Sequence, residues 1–124
     1  MEYGKDYGKA EMMAVAIIRE IQDGDIVFHG LASPTPMVAM KAAKALGKDF
    51  TYVTLSDGVD HNWQNPPYVA STLTANTYEG SVATFGLDEI FDLYASGKGD
   101  IAFLSCLQMD KSGRIAMSVL GGKD

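Results

Sequence analysis

The residue types that chemistry needs are gathered in a few short stretches of this chain. The first is His29-Gly30-Leu31-Ala32-Ser33-Pro34-Thr35-Pro36. An apolar run stops at His29 and a helical pattern begins near Met37, so the stretch reads as a strand-to-helix turn. Unpaired N–H groups at a helix start, together with the helix dipole, favour an anion. A phosphate, a carboxylate or a thioester oxyanion would be held there, with His29, Gly30 and Ser33 as substrate contacts. One glycine is not G-x-G-x-x-G, and the Lys-Ser/Thr pair of a P-loop is absent. A tight turn with an ordinary cap accounts for the same residues.

The second stretch is Ser56-Asp57-Gly58-Val59-Asp60-His61. Asp57 ends an apolar run, where a carboxylate serves as nucleophile or base, and Gly58 lets a ligand approach the backbone. An Asp-Gly turn is the structural alternative. Asp57, Asp60 and His61 are donor types for hard or borderline ions, but their spacing fits no strong motif and no metal is expected. Cys106 sits late in another apolar run. As a nucleophile it needs a base, and His29 and His61 are the two histidines; as a buried structural thiol it needs none. Trp63, Pro66, Pro67 and Tyr68 suit either a partner contact or a small local core.

These stretches need a scaffold. Ala10, Met13, Ala14, Ile17, Ile18 and Ile21 recur at helical spacing and predict a helix over Lys9–Gln22, with Gly24 as its left-handed cap. Ile26, Val27 and Phe28 are contiguous, as in a strand covered on both faces. Thr35 is the expected cap and Pro36 the first residue of a helix over Met37–Leu46. Further strands are expected at Phe50–Leu55, Ser81–Phe85, Ile101–Leu107 and Ile115–Leu120, with a helix at Leu87–Ala95. Val59–Gly80 is mostly polar and reads as a long functional or partner-covered loop. Asp110-Lys111-Ser112-Gly113 is a hairpin-type turn. The order predicts one α/β domain over residues 1–124, an open, mainly parallel sheet with flanking helices. Ligands in such sheets bind beyond the carboxyl ends of the strands.

Composition narrows the classes. The chain has 124 residues, with 10 basic against 16 acidic side chains, a net charge of −6. The basic residues are scattered, which disfavours nucleic-acid binding. The longest apolar run, Met12 to Ile18, falls far short of the ~18 residues that span a bilayer, so no membrane role is expected. The polar amino terminus does not read as a signal peptide. A single cysteine forbids an internal disulfide and fits the cytoplasm.

Two long runs resemble a known family. The run EMMAVAIIREIQDGDIVFHGLASPTPMVAMKAAKAL is similar to the opening of the β subunit of family I coenzyme A transferases, of the glutaconate CoA-transferase type. It has the amphipathic helix Glu11–Gln22, the turn Asp23-Gly24-Asp25, the strand Ile26–Phe28, the turn Gly30–Pro34 and the helix Met37–Leu46. The run EIFDLYASGKGDIAFLSCLQMDKSGRIAMSVLGG resembles the same family through Gly97–Leu104, Gln108–Gly113 and Val119–Gly121. The resemblance implies an α subunit as partner, in a hetero- or homo-oligomer. It implies an acyl-CoA thioester as substrate, coenzyme A rather than any permanently bound cofactor, and Gln108 as a further substrate contact. In that family a glutamate attacks the thioester and backbone N–H groups steady the oxyanion. Here Ser56-Asp57-Gly58 occupies the glutamate's segment, with Ser56 at the glutamate's position and Asp57 one residue on. Family β subunits are also longer. A CoA-thioester hydrolase of the same fold, and a non-catalytic subunit completing a partner's cleft, are the alternatives. A phosphorelay receiver is a rival class; Asp57 fits it, but His29-Gly30-Leu31 supplies no acid pair.

Overall fold

The computed structural model describes residues 6–31, 33–55, 58–64 and 79–116. Its elements are α1 (Lys9–Glu20), β1 (Ile26–His29), α2 (Pro34–Ala45), β2 (Thr51–Val53), β3 (Gly58–Val59), β4 (Ala83–Thr84), α3 (Leu87–Ala95), β5 (Ile101–Phe103), β6 (Gln108–Met109) and β7 (Ile115–Ala116). Five strands form one sheet in the order β4-β3-β2-β1-β5. β1 lies between β2 and β5, parallel to both, while β3 and β4 extend the other edge antiparallel. β6 and β7 make a separate two-stranded ribbon.

Alternation along the strands feeds two cores. Val27 and Tyr52 join Ile21, Met40, Ala43 and Phe50 on one face, with Ile17, Ile18, Ile101 and Phe103 packed against them. Phe28 and Val53 join Ile90 on the other, with Ile26, Leu55, Phe85 and Tyr94 around them. Because both faces are covered, β1 is apolar without a break before His29.

The boundaries depart from the sequence pattern where hydrogen bonding overrides it. α2 begins two residues earlier than Thr35 and Pro36 suggested, with Ser33 at its N-cap and Pro34 as its first residue. α1 ends at Glu20, so Gly24, with φ of +91°, serves the Asp23–Asp25 turn rather than a helix cap. β2 stops at Val53 because Thr54 closes a turn. The Thr54 N–H and hydroxyl both donate to the Gly58 carbonyl, at 2.9 and 3.1 Å. The chain then returns antiparallel as β3. β5 stops at Phe103 because its neighbour leaves the sheet: Gly30 N–H donates to the Phe103 carbonyl at 2.9 Å and the chain turns into α2. Leu107 thus falls outside β5, and the final strand, β7, pairs with β6 rather than with the main sheet. Of that expected strand, residues 117–120 lie outside the described residues.

The amino ends of the strands are tied by carboxylates. Asp100 accepts from Ile26 N–H at 2.8 Å, Asp23 from Asp49 N–H at 3.0 Å, and Asp25 from Gln22 N–H at 2.7 Å. Tyr94 lies over this end, its ring 5.1 Å from that of Phe28 and its hydroxyl 3.0 Å from the carbonyls of Ile26 and Ile101. Gly99 makes room for it: a Cβ there would fall inside contact distance of the Tyr94 ring.

Candidate functional site

The carboxyl ends of β1 and β2 carry His29 and Thr54, both buried. His29 Nδ1 is 3.0 Å from the Gly30 carbonyl and Nε2 is 2.7 Å from the Tyr52 hydroxyl. A carbonyl only accepts, so Nδ1 carries the proton and Nε2 accepts from Tyr52. Burial, reinforced by the charge of Lys41 and opposed by the Gly30 carbonyl, holds His29 below the ordinary imidazole range. Burial pushes the Tyr52 hydroxyl well above the usual phenol range, which keeps it a donor. Tyr52–His29–Gly30 is therefore a neutral strut that fixes the first peptide of the turn after β1.

Past that peptide, α2 presents fewer donors than a typical helix start. Pro34 and Pro36 have no N–H, and Met37 N–H already bonds the Ser33 carbonyl at 3.1 Å. The amides of Ser33 and Thr35 remain as the inherent donors of this turn. The buried Ser33 hydroxyl donates to the Leu31 carbonyl at 3.2 Å and makes no cap bond.

Ser56 and Asp57 lie outside the described residues. Their frame does not: Gly58 N–H donates back to the Thr54 hydroxyl at 3.2 Å, and Gly58 pairs with Thr84. The backbone of Gly58 is thus committed to the hairpin. Thr54 was missed in the sequence. The signal that was present is an Asp-Gly pair between Leu55 and Val59, a hairpin cue rather than a strand end alone.

Beneath the turn, Asp60 adopts a φ of +45° and accepts from Tyr52 N–H at 2.9 Å. Its carboxylate is also 3.0 Å from Lys44 Nζ, which donates to the Phe50 carbonyl and sits 4.6 Å above the Phe50 ring. Asp60 is thereby engaged in holding α2 to β2. His61 is 2 % exposed and stands edge-on to Tyr52, with ring centroids 4.8 Å apart. Neither of its nitrogens has a hydrogen-bond partner among the described residues. No group of three His, Cys, Asp or Glu side chains is placed to hold a metal among the described residues. With His29 committed to Gly30 and Tyr52, the half-buried Cys106 is bonded to neither histidine. Trp63 closes a groove of about 230 Å³ along α2 with Val38, Lys41, Ala42 and Ala45. Pro66, Pro67 and Tyr68 lie outside the described residues.

Of the sequence-selected residues, His29, Gly30 and Ser33 gather at the carboxyl end of β1. Gln108 is elsewhere, exposed on β6 in the ribbon. There Asp110 organises the turn, accepting from Ser112 N–H at 2.8 Å and Arg114 N–H at 3.0 Å and pairing with Arg114 Nε at 2.6 Å.

No protein-family model and no curated protein matches this chain. Among solved structures, the decarboxylase AibA/AibB superposes with a TM-score of 0.81 at 28% sequence identity, over 94% of this chain. The chain has the CoA-transferase fold. Its resemblance to a short β subunit of the family I CoA transferases stands on the same match. Two variants of that decarboxylase, with one cysteine replaced by valine or by asparagine, superpose with the same score, identity and coverage. The CoA-transferase-like chain spans about half the length of these relatives, 48% of each.

Proposed function

We propose that this chain is the β-type part of a cytoplasmic enzyme acting on an acyl-CoA thioester together with an α-type subunit. What carries the reading is the superposition on AibA/AibB across 94% of the chain, a match to a two-subunit protein. Coenzyme A enters as substrate, and no permanently bound cofactor is required. The reacting centre is assigned to the carboxyl ends of β1 and β2. The Ser33 and Thr35 amides face the thioester oxygen, the Ser33 hydroxyl turns to it from the Leu31 carbonyl, Gly30 is held in register by His29, and Gly58 frames Ser56 and Asp57. Gln108 reaches the acyl-CoA only if the ribbon folds toward it in the complex. Leu104, Leu107, Met109 and Ile115 are exposed on β6, β7 and the segment after β5, which supports a covering polypeptide.

In the transfer reaction the Asp57 carboxylate attacks the acyl carbon, the CoA thiolate leaves and a mixed anhydride forms. The thiolate then attacks the aspartyl carbon, the acyl group departs as its carboxylate, and CoA stays as an enzyme thioester. Ser56 supplies a hydroxyl beside that centre. That the solved neighbours are a decarboxylase favours a second reading, loss of CO2 from the thioester without an enzyme-bound acyl group; hydrolysis of the thioester is a further reaction that needs no such group. Ser56 in place of the family's glutamate agrees with it.

The test is to purify the chain with its α-type subunit, add an acyl-CoA and an acceptor carboxylate, and quench with hydroxylamine. Transfer gives a hydroxamate at residue 57 by mass spectrometry. The second reading gives CO2 or free acid with no adduct. If Ser56→Ala and Asp57→Asn leave turnover within a few-fold, the chain only completes its partner's cleft. A loss beyond ~100-fold, about 2.7 kcal/mol of barrier, rejects that passive role.

A further inference from the structure

The most unusual group in the described residues is an imidazole walled into the layer between α2 and the sheet. His61 is 2 % exposed, edge-on to Tyr52, and neither ring nitrogen meets a donor or an acceptor among the described residues. Native interiors rarely leave a side chain of this kind unbonded. We propose that His61 is an acid-sensitive latch, whose protonation releases the β2–β3 hairpin from α2 and so dismantles the floor beneath the strand ends. The latch is independent of the proposed reaction.

The surroundings of the ring give it this property. The charged and titratable groups that act on His61 are Lys41 and Lys44 from α2, His29 from β1 and Asp60 from its own segment, with the Tyr52 ring of β2 packed edge-on against it. Asp60 is the one carboxylate in that set, and it is already shared between Lys44 and Tyr52 N–H. A proton on His61 thus adds a positive charge near Lys41 and Lys44, on a ring whose nitrogens meet no acceptor among the described residues. Burial, then the charges of Lys41 and His29, with Asp60 opposing and Lys44 adding, lower His61 from 6.5 to about 4. The folded chain therefore holds His61 neutral where an unfolded chain would protonate it. Stability is complete above about pH 6.5 and falls as pH drops from there toward about 4. His29 is displaced in the same direction and adds to the slope. Its nitrogens, however, are both bonded, and protonating Nε2 turns it from an acceptor into a donor facing the Tyr52 oxygen. The Lys44–Asp60 pair joins α2 to the segment that carries His61 and lies beside the new charge, so α2 and the hairpin part there while β1 and β4 stay paired with β2 and β3.

The test is urea unfolding of the full chain between pH 7.5 and 4.5, beside a ring-proton NMR titration of His61 in the same protein. The expected midpoint for His61 in the folded chain is below pH 5. The unfolding midpoint should fall over the same range, with His61 accounting for about one proton taken up per chain on unfolding near pH 5. His61→Phe should reduce the uptake by about one proton, and His29→Gln should leave the His61 contribution in place. A His61 midpoint near 6.5 with the folded spectrum intact overturns the proposal, as does unchanged proton uptake in His61→Phe. If His61→Phe does not fold, the wild-type titration decides the matter alone.

Discussion

The two ends of the sheet are finished in different ways. At the amino ends the ties are matched pairs: Asp100 to Ile26 N–H, Asp23 to Asp49 N–H, Tyr94 to the Ile26 and Ile101 carbonyls. At the carboxyl ends the ties are neutral, buried and incomplete. Tyr52, His29 and Gly30 form one short chain of hydrogen bonds, while His61 beside them has none among the described residues. The first end uses its polar groups to fix strand register. The second keeps groups in states that solvent would change, which is where a reaction or a switch can reside. The contrast teaches that the Asp23-Gly24-Asp25 turn, one of the features behind the family resemblance, belongs to the structural end.

The comparison can be broken at either end. The largest effect is expected from Gly99→Ala, whose new methyl meets a Tyr94 ring pinned by Phe28 and two carbonyls. A loss of about 3 kcal/mol in urea unfolding is expected, and a loss under about 0.5 kcal/mol means that the amino end is looser than described. Next comes Tyr52→Phe, which leaves buried His29 Nε2 without its donor. Here about 2 kcal/mol is expected, together with an upward shift in the His29 NMR titration midpoint as the neutral form loses its hydrogen bond. Asp100→Asn keeps the shape of the tie to Ile26 N–H and removes its charge, for about 1 kcal/mol in the same unfolding assay. The smallest stability effect, about 0.5 kcal/mol, belongs to Ser33→Ala, because the hydroxyl makes no cap bond. That variant sharpens the comparison: it should weaken binding of a CoA thioester to the two-subunit complex far more than it weakens folding.

Much of this was legible in the residues. The helical spacing of Leu87, Ile90, Phe91 and Tyr94 placed α3 at its observed bounds, Leu87–Ala95. The unbroken Ile26-Val27-Phe28 run announced a strand covered on both sides, and Asp110–Gly113 a turn. Strand lengths were not legible, because they depend on where a neighbour leaves the sheet. Ile101–Leu107 is apolar almost throughout, yet β5 ends where Gly30 N–H meets the Phe103 carbonyl. The return of the chain as β3 was also hidden, since two residues carry too little alternation to register as a strand. At the candidate site the strand-to-helix turn after β1 was readable over Gly30–Pro36, although its N-cap is Ser33 rather than Thr35. The roles of Tyr52, Thr54 and His61 were not, because each depends on a partner brought near by folding.

Whether the carboxyl end holds a CoA ester is tested most directly by calorimetry. Acetyl-CoA is titrated into the purified complex of this chain with its α-type subunit, and the titration is repeated with Ser33→Ala. Saturable binding by the complex is expected, at least tenfold weaker in the variant, about 1.4 kcal/mol. A complex that takes up no CoA ester, or one whose affinity ignores Ser33, contradicts the assignment.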